Sequence, residues 1–196
     1  MAPEIVDTRI VHVETAFKGW GRYLIATIQL ADGRTFKREI EDHGSAIAVL
    51  AYDPERKVAM LVRQLRAPVL YAGKQQSTLE VIAGIVDEND PPAAARREAM
   101  EETGLRLGAL EEVATVWTMP GISTERMTLY LAAYSEADRI GRGGGLATEN
   151  EVITLIEMPL TEVARLAASG EITDMKTLAL VQTLRLRRPE LFDPSS

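Results

Sequence analysis

Residues 84–105 read GIVDENDPPAAARREAMEETGL, and the reading of this stretch decides the fold. Asp90 stands before Pro91-Pro92, and the run from Ala93 to Thr103 is made mostly of helix formers, with Gly104 after it. Asp as N-cap, Pro at the first helical position and Gly just past the end are the punctuation of one helix of about three turns. On that helix Glu98, Glu101 and Glu102 are spaced i, i+3, i+4, so all three project from one side. Taken bare, such a cluster reads as a solvated acidic face, partly neutralised by Arg96 and Arg97. Hard oxygen ligands converging on one spot are also what Mg²⁺ requires, through one or two carboxylates plus substrate phosphates. The cluster alone leaves both readings open.

Working outward, the chain before the helix reads as strands. Residues 6–13 and 23–30 are rich in β-branched and aromatic side chains, and Asp32-Gly33 marks a hairpin before residues 35–40. Apolar runs at 46–52 and 58–62 are separated by the turn Asp53-Pro54-Glu55-Arg56, and a short strand at 78–82 runs into Gly84. After the helix, strands are expected at 112–117 and 127–134. Beyond Gly141-Arg142-Gly143-Gly144-Gly145 come a strand at 152–156, a helix at 160–169 closed by Gly170, and a helix at 174–188. The stripe at 178–186 reads as core packing. Sheets and helices alternating without regular βαβ spacing argue for α+β or a mixed-sheet sandwich. The first strands carry little apolar bulk, so they suit a small separate sheet that needs a partner surface.

Composition narrows the chemistry. The 196 residues carry 22 Lys and Arg against 29 Asp and Glu, a net charge of −7, with a pI near 5.0. Phosphate affinity over a surface needs clustered cations, so no nucleic-acid partner is expected. The absence of cysteine excludes disulfides, thiolate zinc sites and a Cys nucleophile, and with only His12 and His43 a multi-histidine metal centre is excluded. No stretch approaches the ~18 consecutive apolar residues of a membrane span, and MAPEIVDT has no cationic start followed by an apolar run. A cytoplasmic protein with no membrane partner is the expectation. Carboxylates, hydroxyls, Lys and Arg remain for the chemistry.

The segment from Gly84 to Leu105 resembles the signature of the Nudix hydrolases. Arg97-Glu98-Ala99-Met100-Glu101-Glu102-Thr103-Gly104-Leu105 matches the family's Arg-Glu-apolar-x-Glu-Glu-x-Gly-apolar core at every fixed position. The resemblance implies a Nudix α/β/α sandwich with a mixed sheet, plus an N-terminal antiparallel β-subdomain at 1–42 and the hydrolase domain at 43–196. It implies Mg²⁺, with Mn²⁺ as a substitute, held by Glu98 and Glu102, by Glu101 as an auxiliary ligand and by the Ala83 carbonyl. Arg97 would orient the glutamates. From Gly84 to Arg97 this chain is one residue shorter than the general family spacing, and Asp90 stands where Glu is usual, which leaves Asp90 the capping role.

The shortened box is similar to that of the GDP-mannose pyrophosphatases within the family, as are Phe36-Lys37-Arg38-Glu39, Leu61-Val62-Arg63-Gln64-Leu65-Arg66, Ser123-Thr124-Glu125 and Gly170-Glu171-Ile172-Thr173-Asp174-Met175-Lys176-Thr177. The ADP-ribose pyrophosphatases share the arginine segment and a stretch like Gly145-Leu146-Ala147-Thr148-Glu149-Asn150-Glu151. By this resemblance Glu151 would be a further metal ligand and Glu149 the general base, acting on water with Glu102 in the catalytic set. Lys37, Arg38, Arg66 and Lys176 are the cations suited to a diphosphate, Glu39 and Gly84 are further expected substrate-binding residues, and Glu125 suits a sugar or ribose hydroxyl. Trp20, between Gly19 and Gly21, stacks on a base or belongs to a core; the aromatic that the subgroup carries near this place favours stacking. Gly143-Gly144-Gly145 lacks the Lys-Ser/Thr of a phosphate loop and reads as the hinge of the acidic loop.

The resemblance implies a homodimer whose N-terminal strands cross to the other subunit, where Trp20, Lys37 and Arg38 would complete the partner's site. The implied reaction is hydrolysis of a nucleotide sugar, GDP-mannose to GMP and mannose 1-phosphate, with ADP-ribose to AMP and ribose 5-phosphate as the alternative. A non-catalytic nucleotide-binding regulatory module ranks lower, because such modules commonly lose box glutamates that this chain keeps. Cleansing of oxidised nucleoside triphosphates ranks lower still, since it goes with a shorter chain lacking the N-terminal sheet.

Overall fold

The computed structural model describes residues 7–87, 89–146 and 152–193. Contacts divide the chain into an N-terminal unit, residues 1–45 with 116–127, and a larger unit of residues 46–115 with 128–196. The N-terminal unit is an antiparallel sheet in the order β1 (Arg9–Lys18), β2 (Arg22–Gln29), β3 (Thr35–Asp42). The β2–β3 hairpin closes through Gly33, whose N–H donates to Leu30 O at 3.0 Å. Every residue of β1 is exposed, Ile10, Val11, Val13 and Phe17 among them, and register shifts break its pairing with β2 in two places. Among the described residues of this unit Ala26 is the one buried hydrophobic. A three-stranded sheet needs an apolar face packed on something to be stable alone, and this one has almost none.

The larger unit is built on β4 (Ser45–Asp53), β5 (Val58–Gln64), β6 (Thr78–Glu80), β7 (Ile82–Ile85), β8 (Glu111–Trp117), β9 (Arg126–Ala133) and β10 (Thr154–Pro159). They form one mixed sheet in the order β10-β5-β4-β9-β8, with β6 on β5 and β7 on β4. Its helices are α1 (Ala67–Gly73), α2 (Pro91–Thr103), α3 (Leu160–Ser169) and α4 (Met175–Arg187). β4 is buried along nearly its whole length, as a central strand covered on both faces must be. Ile47, Val49 and Ala51 of β4 pack with Met60, Ile82 and the small face of α2, Ala94, Ala95 and Ala99. Alanines on that face let the helix lie close to the sheet, which brings the carboxylates of its later turns near β7. α3 buries Leu160, Val163 and Ala167, and α4 buries Leu180, Val181 and Leu184.

The architecture is the α+β fold expected from the sequence, and the helix caps fall where the punctuation places them. The Asp90 carboxylate accepts the Ala93 N–H at 3.0 Å, and Gly104 closes α2 in the left-handed region at φ 71°. Two local differences have clear causes. The strand expected at 78–82 is two strands, because the Val81 N–H leaves the ladder and donates to Thr177 Oγ1 at 2.8 Å. The helix α1 is an addition to the expected elements; it has seven residues, no side-chain N-cap and no buried residue, so no periodicity announces it.

The glycine-rich segment after β9 is pinned to the C-terminal end of α2. Ile140 and Gly141 N–H donate to Gly104 O, Gly144 N–H to Glu102 O at 2.8 Å, and Gly145 N–H to Glu101 O at 3.1 Å. These donors satisfy carbonyls that a helix end leaves open. Such close approach excludes side chains: a Cβ on Gly104 would lie 2.2 Å from Gly141 O, and one on Gly143 2.5 Å from Glu102 O. Gly104→Ala combines a left-handed backbone with that overlap, so a loss of about 2–4 kcal/mol is expected. In thermal unfolding this should lower Tm by roughly 5–15 °C, and an unchanged Tm would contradict the packing described.

Candidate active site on the second helix

Three elements of the larger unit bring the box residues together: β7, the turn after it, and the later turns of α2. The Arg97 guanidinium reaches Glu98 Oε1 at 2.9 Å and Glu101 Oε2 at 3.0 Å, and donates to Ile85 O at 3.0 Å and Asp87 Oδ2 at 3.1 Å. Burial works against its charge, but the carboxylates of Glu98, Glu101 and Asp87 outweigh this and raise its pKa. Glu102 is almost wholly buried, at 2% exposure, and its Oε2 accepts the Ala83 N–H at 3.3 Å. The Glu98 carboxyl lies directly against Gly84: a Cβ there would fall 2.0 Å from Glu98 Cδ. Gly84 is therefore required by the seat of a glutamate.

Among the described residues no three acidic or histidine side chains are gathered at metal-ligand geometry. Arg97 lies between Glu98 and Glu101 and takes up their mutual repulsion. The donor set nevertheless suits a hard divalent cation, which takes one or two carboxylates with phosphate and water completing its shell. The glycine cradle that admits the Glu98 carboxyl has the form expected of a ligand held in place. Glu149 and Glu151, expected to supply the base and a further ligand, lie outside the described residues.

A second charged group lies near Glu102, and its centre is a residue that the sequence reading does not single out. Glu80, on β6, is 1% exposed. Its Oε1 accepts Arg66 Nε at 3.0 Å and the Thr78 hydroxyl; its Oε2 accepts Arg66 Nη2 at 2.8 Å and Lys176 Nζ at 2.6 Å. Lys176 also reaches Asp174 Oδ1 at 2.8 Å, and Asp174 caps α4 by accepting the Thr177 N–H at 3.0 Å. Burial alone would raise the Glu80 carboxyl, but the Arg66 fork and Lys176 override it and hold the pKa at about 2. Arg66 is pressed down by burial and up by Glu80, Glu102 and Asp174, with a net rise. The sequence does contain a signal, a lone acidic residue in the apolar run Thr78-Leu79-Glu80-Val81-Ile82. Gln64, across from Thr78 in the ladder, is also buried, and its Nε2 has no hydrogen-bond partner among the described residues.

The remaining candidates belong to the N-terminal unit. Trp20 is 75% exposed and stands edge-on to His43 with ring centroids 5.0 Å apart, so it is no core residue. Lys37, Arg38 and Glu39 line a cavity of about 470 Å³ with Ile25, Gly121 and Ile122. Arg38 lies over the Phe36 ring at 4.5 Å, Lys37 Nζ is 3.5 Å from Glu14, and Glu39 accepts the Tyr23 hydroxyl at 2.5 Å. Glu125 lies in the turn before β9, where its N–H donates to Ser123 Oγ at 3.1 Å.

Comparison with known proteins adds four findings. The NUDIX domain model matches residues 42–180. A GDP-mannose pyrophosphatase of Cronobacter sakazakii is 41% identical over 152 residues, 77% of this chain and 78% of that one. A GDP-mannose pyrophosphatase of Citrobacter koseri is 36% identical over 149 residues, 76% of this chain and 77% of that one. Among solved structures, the crystal structure of an ADP compounds hydrolase has a TM-score of 0.76 at 15% identity, covering 96% of this chain and 98% of the other. At that identity the likeness is one of fold.

A pH dependence arises from Glu80. Its carboxyl falls from an ordinary 4.5 to about 2 on folding, so its contribution is complete above about 4.5 and is lost as the pH falls through about 2. Urea unfolding of the native chain and of Glu80→Gln should differ by on the order of 3 kcal/mol near neutrality. The gap should narrow as the pH drops from 4.5 towards 2; a gap constant across that window would exclude Glu80 as its source.

Proposed function

The chain belongs to the Nudix family, and on that premise we propose that it hydrolyses the diphosphate of a nucleotide sugar, GDP-mannose, to GMP and mannose 1-phosphate. It is a hydrolase of phosphoanhydride bonds. The observation that carries the substrate reading is the set of relatives named GDP-mannose pyrophosphatase, similar over about three quarters of the chain. The box glutamates and the Arg66 and Lys176 segments all fall in the larger unit that this similarity mostly spans.

In this reading Glu98, Glu101, Glu102, the Ala83 carbonyl and Glu151 hold Mg²⁺, for which Mn²⁺ can substitute. A divalent cation held by these residues would supply charge neutralisation of the diphosphate and activation of water. The chain's own residues do the rest. Arg97 orients Glu98 and Glu101, and the Ala83 amide orients Glu102. Arg66 donates to phosphate oxygens. Glu149 takes the proton as a water oxygen bonds to phosphorus and the bridging P–O bond breaks, the leaving oxygen remaining on the departing monophosphate. Trp20 stacks on the base and, with Lys37 and Arg38, completes the site of the partner subunit, while Glu39, Gly84, Glu125 and Lys176 are further substrate contacts.

A homodimer is part of the same proposal. The N-terminal sheet has almost no core of its own, and a second copy laid on β1 would remove Ile10, Val11, Val13 and Phe17 from water. No helix among the described residues is long and apolar enough to cross a membrane, and a cytoplasmic setting is proposed with the nucleotide substrate. Sedimentation equilibrium at micromolar concentration should give twice the mass of 21.5 kDa, and a persistent monomer would remove the dimer from the reading.

Substrate choice is tested with purified protein and magnesium over GDP-mannose, ADP-ribose, ADP-glucose and NADH, scoring phosphate released from the products by phosphatase. GDP-mannose should have the highest kcat/KM; ADP-ribose exceeding it by about tenfold would transfer the assignment to ADP-ribose hydrolysis. Glu102→Gln removes a charge without changing volume. It should cost about 100-fold or more in kcat while far-UV circular dichroism and the unfolding transition persist.

A further inference from the structure

The four acceptor positions of the Glu80 carboxylate are all occupied, two by the Arg66 fork, one by Thr78 and one by Lys176. A carboxylate so saturated has no lone pair left to hold a metal or to take a proton from water. Burial of this group is costly unless it is paired, so its presence inside the fold compels two cations to converge on it. Glu80, Asp174, Arg66 and Lys176 together are neutral, and the exposed part of the group is the arginine: the Arg66 side chain is 41% exposed, against 2% for Glu80 and 12% for Lys176.

The geometry of the fork matters more than its energy. Buried ion pairs are weak evidence for stability, since well-packed apolar residues often replace them without loss. Apolar residues cannot, however, hold a guanidinium in one plane. Glu80 engages Nε and Nη2, which leaves three of the five Arg66 N–H groups, one on Nη2 and two on Nη1, outside this fork, two of them along the outer edge. A flexible side chain with large rotamer freedom is thereby fixed before any ligand arrives. Lys176 is spent differently, with its ammonium divided between Glu80 and Asp174 at the N-terminus of α4.

We propose that Glu80 is a positioning residue: it fixes the plane of Arg66 so that the outer edge of the guanidinium receives the diphosphate of the substrate, while Lys176 braces Glu80 from behind. The proposal rests on the reading of Arg66 as a phosphate contact. It assigns to Glu80 an effect on binding that exists only through Arg66, and to Lys176 a bracing part.

The test is a double-mutant cycle in steady-state kinetics on GDP-mannose with magnesium, using Glu80→Gln, Arg66→Ala and the pair. Glu80→Gln should raise KM about tenfold or more with kcat within about threefold of the native value, the pattern of lost uniform binding. In the Arg66→Ala background the same change should alter KM less than about twofold. Should Glu80→Gln fail to fold, Glu80→Asp runs the same cycle, since it keeps the charge and withdraws the fork by one methylene. A KM left unchanged while only Tm falls would overturn the proposal, as would a full tenfold effect in the Arg66→Ala background. If the native protein proves inactive on every nucleotide sugar, the activity assignment fails separately. Calorimetry with imidodiphosphate and magnesium then decides Glu80: about tenfold weaker binding in Glu80→Asp upholds it, and equal binding overturns it.

Discussion

Three carboxylates crowded into the last turns of α2 set the terms for the rest of this molecule. They repel one another, and Glu101 and Glu102 also sit at the helix end where the backbone dipole is negative, the less favourable end for an acid. The fold meets both costs locally. Arg97 spans Glu98 and Glu101, the Ala83 N–H faces Glu102, and amides of the glycine segment cover carbonyls of the final turn. Nothing about helix stability calls for this arrangement. A local choice that opposes helix electrostatics and is answered by dedicated partners is the sort of conflict found at functional sites.

The supporting structure can be understood from that end. Small residues on the buried face of α2 bring it down onto β4 and β7, and Gly84 lets the Glu98 carboxyl lie where a side chain would otherwise stand. Gly104 and Gly143 admit the segment that closes the helix. These glycines answer to close approach of backbone and carboxylate, which a turn-based reading of the sequence does not distinguish from flexibility. The glycine-rich stretch read as a hinge is, over its described part, a set of donors docked on a helix end.

What the sequence made legible was whatever is decided within a few residues. The Asp90 and Asp174 caps, the Gly104 and Gly170 stops, the Asp32-Gly33 hairpin and the helix that carries the box glutamates all depend on short spacing, and each appears in the structure at its expected place. What stayed hidden is long-range. Glu80 meets Arg66 across 14 positions and Lys176 across 96, and the break between β6 and β7 is made by Thr177, 96 positions from Val81. No periodicity carries such pairings. The helix α1 is too short and too exposed to leave a pattern. Arg66 and Lys176 could be named as cations of interest from their segments; Glu80 stands out in the sequence only as a lone acid in an apolar run, which does not say what it pairs with.

The charge balance of the larger unit bears on how an anionic substrate is received. Around Glu80 the ion network is neutral, and along α2 Arg97 is shared between Glu98 and Glu101. A diphosphate approaching these groups therefore meets no surplus of positive charge from the residues described there, in a protein whose net charge is −7. On the proposed reading, attraction must then arrive with a divalent cation, while Arg66 contributes direction more than field. This separates two tasks that a cluster of lysines would merge. Affinity governed by the cation can be lost without disturbing orientation, and orientation governed by Glu80 can be lost without disturbing cation affinity. A site organised in this way favours an anion that comes with its metal over phosphates that come alone, which suits a hydrolase working among many nucleotides.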